Sequence, residues 1–308
     1  MPLTPTAKIW MDGELVDWDE AKIHVLTHSL HYGMGVFEGI RAYPTSGGPA
    51  VFRLTDHITR LFSSAHILGI EMPFDKPEIT AAVKAVVAAS GLDACYIRPI
   101  VYLGYGEMGL NPLPCKVNVS VACWPWAAYL GDDGMANGIR AKIASWARHD
   151  TRAMPTAAKA TGMYINSSLA KVEAVRAGYD EAIMLTTDGM ISEGTGENVF
   201  VVRRGRILTP YSSGVGALEG ITSDSVRVMA RDLGYEVAEA PLRRTDIYVA
   251  EETFLTGTAA EIVPVASLDD RPIGSGKPGP VTKAIQDQYF HAVRGEVGQY
   301  KDWVEHVT

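Results

Sequence analysis

Between Arg152 and Lys171 the chain carries one charged residue, Lys159, in the run Pro155-Thr-Ala-Ala-Lys-Ala-Thr-Gly-Met-Tyr164. An amine among small neutral neighbours is costly to keep protonated, and a neutral amine is a nucleophile. The chemistry most often built on one is imine formation with a carbonyl or with pyridoxal phosphate. The plain alternative is a surface lysine beside a glycine-containing turn, and this stretch alone does not separate the two.

Pyridoxal phosphate makes further demands that other stretches can be checked against. Its phosphate needs backbone N–H donors at a helix start plus a cation. Gly220-Ile221-Thr222 precedes a helix that Thr222 can cap, and Gly257-Thr258 offers a second glycine–hydroxyl turn at a strand end. Either is equally readable as an ordinary cap or turn. Arg60, on a helix, is a candidate cation, although its position also suits a solvated surface residue. The ring nitrogen needs a carboxylate that keeps it protonated. Glu193 and Glu197, in Ile191-Ser-Glu-Gly-Thr-Gly-Glu-Asn198, are both candidates, and Tyr164 can donate to the ring phenolate oxygen.

Three other patterns are set aside. His24, His28 and His31 have spacing that would line one helix face, but Gly33 and Gly35 follow and no Glu sits beside a histidine. No metal is expected there. Gly274-Ser-Gly-Lys-Pro278 has proline where a phosphate loop needs Ser or Thr for magnesium. Gly194-Thr-Gly196 lacks the third glycine of a dinucleotide fingerprint.

The elements that must position these residues are legible in part. Lys8–Met11 and Glu14–Asp17 flank Asp12-Gly13, a two-residue hairpin signal. A helix is predicted from Thr55, with Ile58, Leu61, Phe62 and Ala65 inward and Gly69 ending it, and a second over Pro77–Ser90 closed by Gly91. Cys95–Leu103 and Val117–Cys123 read as strands. The polar, glycine-rich stretch Leu130–Gly138 reads as a flexible linker and places the domain boundary after Tyr129. Beyond it come a strand near Ile139–Ser145, a helix over Asn166–Ala177, and hairpins at Asp188-Gly189 and Gly205. A helix from Thr222 to Leu233 follows, with Val226, Met229 and Leu233 inward, then a helical turn at Asp246–Glu251. Strands Thr253–Thr256 and Glu261–Val265 complete the reading. Without a regular strand–helix repeat, the mixture is α+β rather than doubly wound.

A length of 308 residues favours two domains, and a net charge of -8 argues against a nucleic-acid partner. No apolar stretch is long enough to span a bilayer, since Lys84 interrupts the best candidate, Ala81–Ala89, and the N-terminus lacks the apolar core of a signal peptide. Cys95, Cys115 and Cys123 are odd in number and off zinc spacing, which fits reduced thiols in a cytoplasmic enzyme.

Six motifs then occur in order: His31-Tyr-Gly-Met-Gly-Val-Phe-Glu-Gly-Ile-Arg41, Tyr96-Ile-Arg-Pro99, Pro155-Thr-Ala-Ala-Lys159, Glu193-Gly-Thr-Gly-Glu-Asn198, Gly220-Ile-Thr222 and Gly257-Thr-Ala-Ala-Glu261. With them the chain resembles, over nearly its whole length, the class IV (fold type IV) pyridoxal-phosphate aminotransferases, and within these the branched-chain amino-acid family. The resemblance implies a small N-terminal α/β domain over 1–129, an interdomain loop over 130–138, and a larger C-terminal mixed α/β pseudo-barrel over 139–308 that carries the Schiff-base lysine. It implies that Lys159 joins the cofactor aldehyde and shuttles the proton between Cα and C4′. Glu193, rather than Glu197, would pair with the pyridine nitrogen and Tyr164 would bind the ring oxygen. Arg60, Ile221, Thr222 and Thr258, on the Gly220 and Gly257 turns, would hold the phosphate, and Leu218 would pack against the ring.

For substrate the resemblance implies Phe37, Gly39, Tyr96, Trp126, Tyr129, Thr258, Ala259 and Ala260. Tyr32 and the Met108-Gly-Leu110 loop would reach in from a neighbouring subunit, so a homodimer is the minimal unit and a hexamer stays open. A dry pocket of Phe37, Trp126 and Tyr129 suits leucine, isoleucine and valine, and Arg98 with the Tyr32 hydroxyl would take the distal carboxylate of glutamate. The implied reaction is amino transfer between these L-amino acids and 2-oxoglutarate. Alternatives are D-amino-acid or (R)-amine transamination on the same fold, an aminodeoxychorismate-type carbon–oxygen lyase, and a protein that merely binds pyridoxal phosphate. Two positions depart from the pattern: Glu219 stands where relatives often have proline and Ser223 where many have arginine. A carboxylate beside a phosphate is repelled, so the Glu219 side chain is expected in solvent.

Overall fold

A computed structural model describes residues 3–126 and 129–307. The chain divides into two compact units, one of Met1–Trp126, Ala158–Met163 and His291–Thr308, the other of Ala127–Ala157 and Tyr164–Phe290.

In the first unit the sheet runs Val304–His306, Gly48–Phe52, Ile40–Thr45, Cys95–Leu103, Val117–Trp124, Lys8–Met11, Glu14–Asp17, with Gly35–Phe37 also paired to Cys95–Leu103. Every pairing in it is antiparallel. Val119, Val121 and Cys123 point into the core, as their alternation with polar residues requires. Two helices cover that face. Lys76–Ser90 is opened by a capping box between Asp75 and Glu78 with a proline in its first turn. It buries Ile79, Ala82, Val83, Val86 and Val87, the i, i+3, i+4, i+7, i+8 stripe. Leu54–Ile67 buries Leu54, Ile58, Leu61 and Ala65 into the same cluster, but its buried face also carries His57 and Ser64.

Those polar groups mark where the lysine segment docks. The sequence assigned Lys159 to the C-terminal domain, whereas Ala158–Met163 packs within the first unit. Backbone pairing is the reason. Phe37 N–H donates to the Lys159 carbonyl at 3.1 Å, Val36 and Ala160 form an antiparallel bridge, and Gly162 N–H donates to the Gly33 carbonyl at 3.0 Å. Lys159 N–H donates to Ser64 Oγ at 3.0 Å and Thr161 Oγ1 to the Gly33 carbonyl at 2.8 Å. None of this is local in sequence, so no local signal announces it.

In the second unit the strands run Ile191–Gly194, Glu181–Leu185, Ile139–Ile143, Glu261–Leu268, Glu252–Gly257, Asn198–Arg203, Arg206–Thr209, Val237–Glu239, with Arg271–Pro272 also paired to Glu261–Leu268. Parallel and antiparallel neighbours mix, which is the expected α+β character. Three local expectations are corrected. Leu130–Gly138 is not a flexible linker: Gly131–Asn137 is helical, with Asp132 and Asp133 in its first turn, where the helix dipole favours them. The helix expected to be capped by Thr222 is Ile221–Asp232 with Gly220 at the cap position and Thr222 inside, buried. Leu233, expected inward, is the last-turn cap residue and 40% exposed. The helix Pro280–Val293 and the strands Gly35–Phe37, Ile40–Thr45, Gly48–Phe52, Val237–Glu239, Arg271–Pro272 and Val304–His306 went unread. Among the described residues no helix is long and apolar enough to cross a membrane.

Gly33 gives a test of the docking. It has φ +69°, and a Cβ there would lie 2.8 Å from Gly162 Cα. Gly69 has φ +67° with nothing within 4 Å. Alanine at either position incurs ~1–2 kcal/mol for left-handed backbone. Gly33→Ala must additionally displace the lysine segment, so its denaturation midpoint should fall well below that of Gly69→Ala. Equal midpoints would contradict the tight docking.

Candidate active site

Around the lysine, the first unit gathers an aromatic and cationic cluster. The Lys159 amine lies 5.0 Å from the Phe37 ring centroid, and the Arg98 guanidinium 4.5 Å from the same ring. Arg98 Nη2 donates to Tyr96 Oη at 3.1 Å, and Tyr96 meets Trp126 edge-on with centroids 4.4 Å apart. Tyr96 and Arg98 share a face of Cys95–Leu103 because they are two residues apart. Gly39 has no alternative here: a Cβ would sit 1.9 Å from Tyr96 Oη. The strands therefore bring together Phe37, Gly39, Tyr96, Arg98, Trp126 and Lys159. Tyr32, Met108 and Leu110 are not in that cluster. Tyr32 stacks on His28 and is 41% exposed, and Met108 and Leu110 are 48% and 88% exposed.

Arg60 is not a surface residue. Its side chain is 15% exposed and it grips Glu38 through Nε (2.7 Å) and Nη2 (2.8 Å), while His57 Nδ1 lies 2.7 Å from the same carboxylate. Burial alone would push the Glu38 carboxyl up, but the Arg60 charge and the bonds from Arg60 and His57 outweigh it and hold it well below the carboxylate range. Burial keeps the His57 imidazole below its usual value despite Glu38, so His57 is neutral and contributes by donating Nδ1–H. Sequence reasoning quoted Glu38 inside a motif and gave it no role. A carboxylate between Phe37 and Gly39 in an otherwise apolar strand region was the available signal.

In the second unit two glutamates end in opposite states. Glu193, on Ile191–Gly194, meets Arg148 Nε at 2.7 Å, and its Oε2 accepts the Leu218 N–H at 3.0 Å. The guanidinium favours the ionised carboxylate. Glu197 Oε2 accepts only a backbone N–H, from Gly196 at 3.0 Å, among the described residues. Burial and the neighbouring Glu181 charge push Glu197 up to about 8. An ionised carboxylate can hold a protonated ring nitrogen and a protonated one cannot, so the geometry separates the two candidates in favour of Glu193. Arg148 was not foreseen, since nothing in Trp146-Ala-Arg148 points at a partner 45 residues away.

The phosphate-type donors lie in this unit too. Gly220 caps Ile221–Asp232 without any side-chain cap bond, and a Cβ on it would lie 1.9 Å from Asn198 Oδ1. Asn198 Nδ2 in turn donates to the Leu218 carbonyl at 2.8 Å. The helix start is thereby drawn onto the strand end with its first N–H groups outward, the donor set an anion needs. Thr222 is buried one position in, Gly257, Thr258 and Ala259 are half-buried, and Ala260 is buried. Tyr164 is half-buried at the start of Tyr164–Arg176, and Tyr129 lies over Lys171, 5.1 Å from ring centroid to amine. Glu219 is exposed, as expected, and Ser223 is buried. The first unit thus holds a lysine among aromatic rings. The second holds a carboxylate kept ionised by arginine, a tyrosine and an anion-binding helix start. These are the group types that pyridoxal phosphate requires.

The fold and this donor set define an enzyme built around a nucleophilic lysine and a phosphorylated carbonyl cofactor. The chain belongs to the amino-transferase class IV family, whose model matches residues 35–268. It is 45% identical over 295 residues to a branched-chain-amino-acid aminotransferase of Pseudomonas aeruginosa, covering 96% of this chain and 95% of the relative. Among solved structures, the branched-chain amino acid aminotransferase of Escherichia coli superposes with a TM-score of 0.96 at 44% identity, covering 99% of this chain and 100% of that one. A thermophile-type relative, the T.th. branched-chain amino acid aminotransferase with pyridoxamine 5'-phosphate, superposes with a TM-score of 0.96 at 48% identity, covering 99% of each chain. The same T.th. protein was solved with N-(5'-phosphopyridoxyl)-L-glutamate and with 4-methylvaleric acid.

The state of Glu197 has a consequence for stability. The carboxyl titrates near 4.5 when unfolded and near 8 when folded. Between these values the folded chain retains a proton the unfolded chain has lost, so stability falls as pH rises through this window. Glu197→Gln, which cannot ionise, should match the parent near pH 4.5 and become progressively more stable relative to it towards pH 8. Urea midpoints that run parallel across the window would show Glu197 to be ionised throughout.

Proposed function

We propose that the chain transfers an amino group between branched-chain L-amino acids (leucine, isoleucine, valine) and 2-oxoglutarate, giving branched-chain 2-oxo acids and L-glutamate. One observation carries the substrate assignment. Arg98 lies flat on Phe37 and beside Tyr96, and its Nε is buried with no hydrogen-bond partner among the described residues. Aromatic faces suit a branched apolar side chain, while the orphaned N–H is satisfied only when a carboxylate arrives. One cluster therefore serves both leucine and glutamate. The T.th. relative, solved with a glutamate adduct and with a branched aliphatic acid, supports the same dual use.

Bound pyridoxal phosphate supplies an electron sink that accepts the pair released when the substrate Cα–H bond breaks. Lys159 would hold the cofactor aldehyde between turnovers and carry the proton from Cα to C4′ and back. Its backbone, fixed at both the N–H and the carbonyl, limits where that amine can reach. Glu193, kept ionised by Arg148, would hold the proton on the ring nitrogen, and Tyr164 would donate to the ring oxygen. Arg60, Ile221, Thr222 and Thr258, with the Gly220 and Gly257 turns, would bind the phosphate, and Leu218 would pack on the ring. Phe37, Gly39, Tyr96, Trp126, Tyr129, Thr258, Ala259 and Ala260 would shape the substrate pocket and exclude water.

Leu30, Tyr32, Met108, Leu110 and Leu113 are large apolar side chains left exposed on the first unit. Their exposure supports a homodimer as the working unit, in which Tyr32, Met108 and Leu110 complete the partner's pocket. Three free cysteines, all buried, support a reducing, cytoplasmic setting.

Single-turnover spectra test the assignment. L-Leucine and L-glutamate should each convert the cofactor to its amine form, and D-alanine and (R)-1-phenylethylamine should not. In Arg98→Ala the glutamate half-reaction should fall ~10–100-fold, the worth of a charged hydrogen bond, with a much smaller loss for leucine. Equal losses for the two substrates would remove Arg98 from the carboxylate role, and conversion by D-alanine in place of leucine would overturn the reaction.

A further inference from the structure

We infer that Glu38 is a positioning residue: it clamps the Arg60 guanidinium so that this side chain meets the cofactor phosphate by orientation rather than by net charge. The inference rests on Arg60 being a phosphate ligand, as proposed above. Three observations lead to it.

First, the contact is a side-on fork. Arg60 Nε and Nη2 each donate to a different oxygen of Glu38, at 2.7 and 2.8 Å, which fixes the plane of the guanidinium. Second, the anchor is itself rigid. Glu38 is fully buried, its backbone N–H donates to the Pro99 carbonyl at 2.9 Å, and its Oε2 also faces His57 Nδ1 at 2.7 Å and accepts the Gly39 N–H at 3.3 Å. Third, the charges cancel. His57 is kept neutral by burial, so Glu38 and Arg60 form a one-to-one pair. A neutral pair has little long-range pull on a phosphate, and what it offers is N–H groups held in place before the ligand arrives. His57, Arg60 and Ser64 also share one face of Leu54–Ile67, and Ser64 Oγ holds the Lys159 N–H. One helix face therefore carries both the clamped cation and a backbone anchor of the lysine.

A purely electrostatic view gives the opposite expectation. Removing the Glu38 charge would leave Arg60 more positive and the phosphate more tightly bound. The clamp requires the reverse.

The test is equilibrium binding to the full-length chain freed of cofactor, followed by absorbance, using pyridoxal phosphate and, in parallel, pyridoxal without its phosphate. Glu38→Gln should weaken pyridoxal phosphate at least ~10-fold and leave pyridoxal within about twofold, the range expected for loss of a charged hydrogen bond at the phosphate alone. Arg60→Ala should do the same, and Glu38→Gln added to Arg60→Ala should cost nothing more, because both act through one contact. If Glu38→Gln binds pyridoxal phosphate as the parent does, or more tightly, while Arg60→Ala loses phosphate preference, the clamp is wrong and the Arg60 assignment stands. If Arg60→Ala keeps its preference for the phosphorylated form, the Arg60 assignment fails and the inference with it. Equal weakening of both ligands by Glu38→Gln would mean a general loss of structure and would also overturn it. Should Glu38→Gln not fold, Arg60→Lys decides. Its ammonium keeps the charge but cannot fork, so the clamp predicts loss of phosphate preference close to that of Arg60→Ala, and parent-like preference contradicts it.

Discussion

The structure depends on how the backbone around Lys159 is held. A catalytic amine on a long, four-carbon stem gains nothing from its side chain alone, since that stem is flexible. Here the main chain is pinned at Lys159 N–H by Ser64, at the Lys159 carbonyl by Phe37, at Ala160 by Val36 and at Gly162 by Gly33. The short strand Gly35–Phe37 and the buried polar face of Leu54–Ile67 exist in this form because they receive that segment. The same strand delivers Phe37 against the amine, and the next residues deliver Glu38 to Arg60 and Gly39 to Tyr96.

A second constraint is the sorting of buried carboxylates by partner. Glu38 has Arg60, Glu193 has Arg148 and Glu181 has Lys171, all at 2.7 Å. Glu197 forms no ion pair of its own among the described residues, sits near Glu181 and keeps its proton. Paired groups stay charged at neutral pH and serve as fixed electrostatic contacts, and the unpaired one stays neutral. This ordering, rather than position in a glycine-rich turn, distinguishes Glu193 from Glu197.

Much of the chemistry was legible in the chain and much of its assembly was not. Lys159 stood out because it is the only charge in a run of small residues, and helices such as Lys76–Ser90 announced themselves through period and caps. Gly131–Asn137 was hidden by its three polar and two glycine residues, which read as a loop although the sequence after it continues as a packed strand. Thr222 looked like a cap by residue type, yet the helix begins one residue earlier because Asn198 leaves room only for glycine at position 220. Arg148 and His57 were invisible for a more general reason. Their partners are 45 and 19 residues away, and pairing at that range is decided by the fold rather than by neighbours.

Arg98 on Phe37, Arg60 in its fork and the anion-ready start at Gly220 all take their meaning from one claim, that Lys159 is the residue covalently joined to the cofactor. Reduction of the holoenzyme with borohydride, followed by peptide mapping, tests that claim most directly. The account predicts the pyridoxyl mass on Lys159 and nowhere else. A pyridoxyl group on another residue, or none at all, would contradict it.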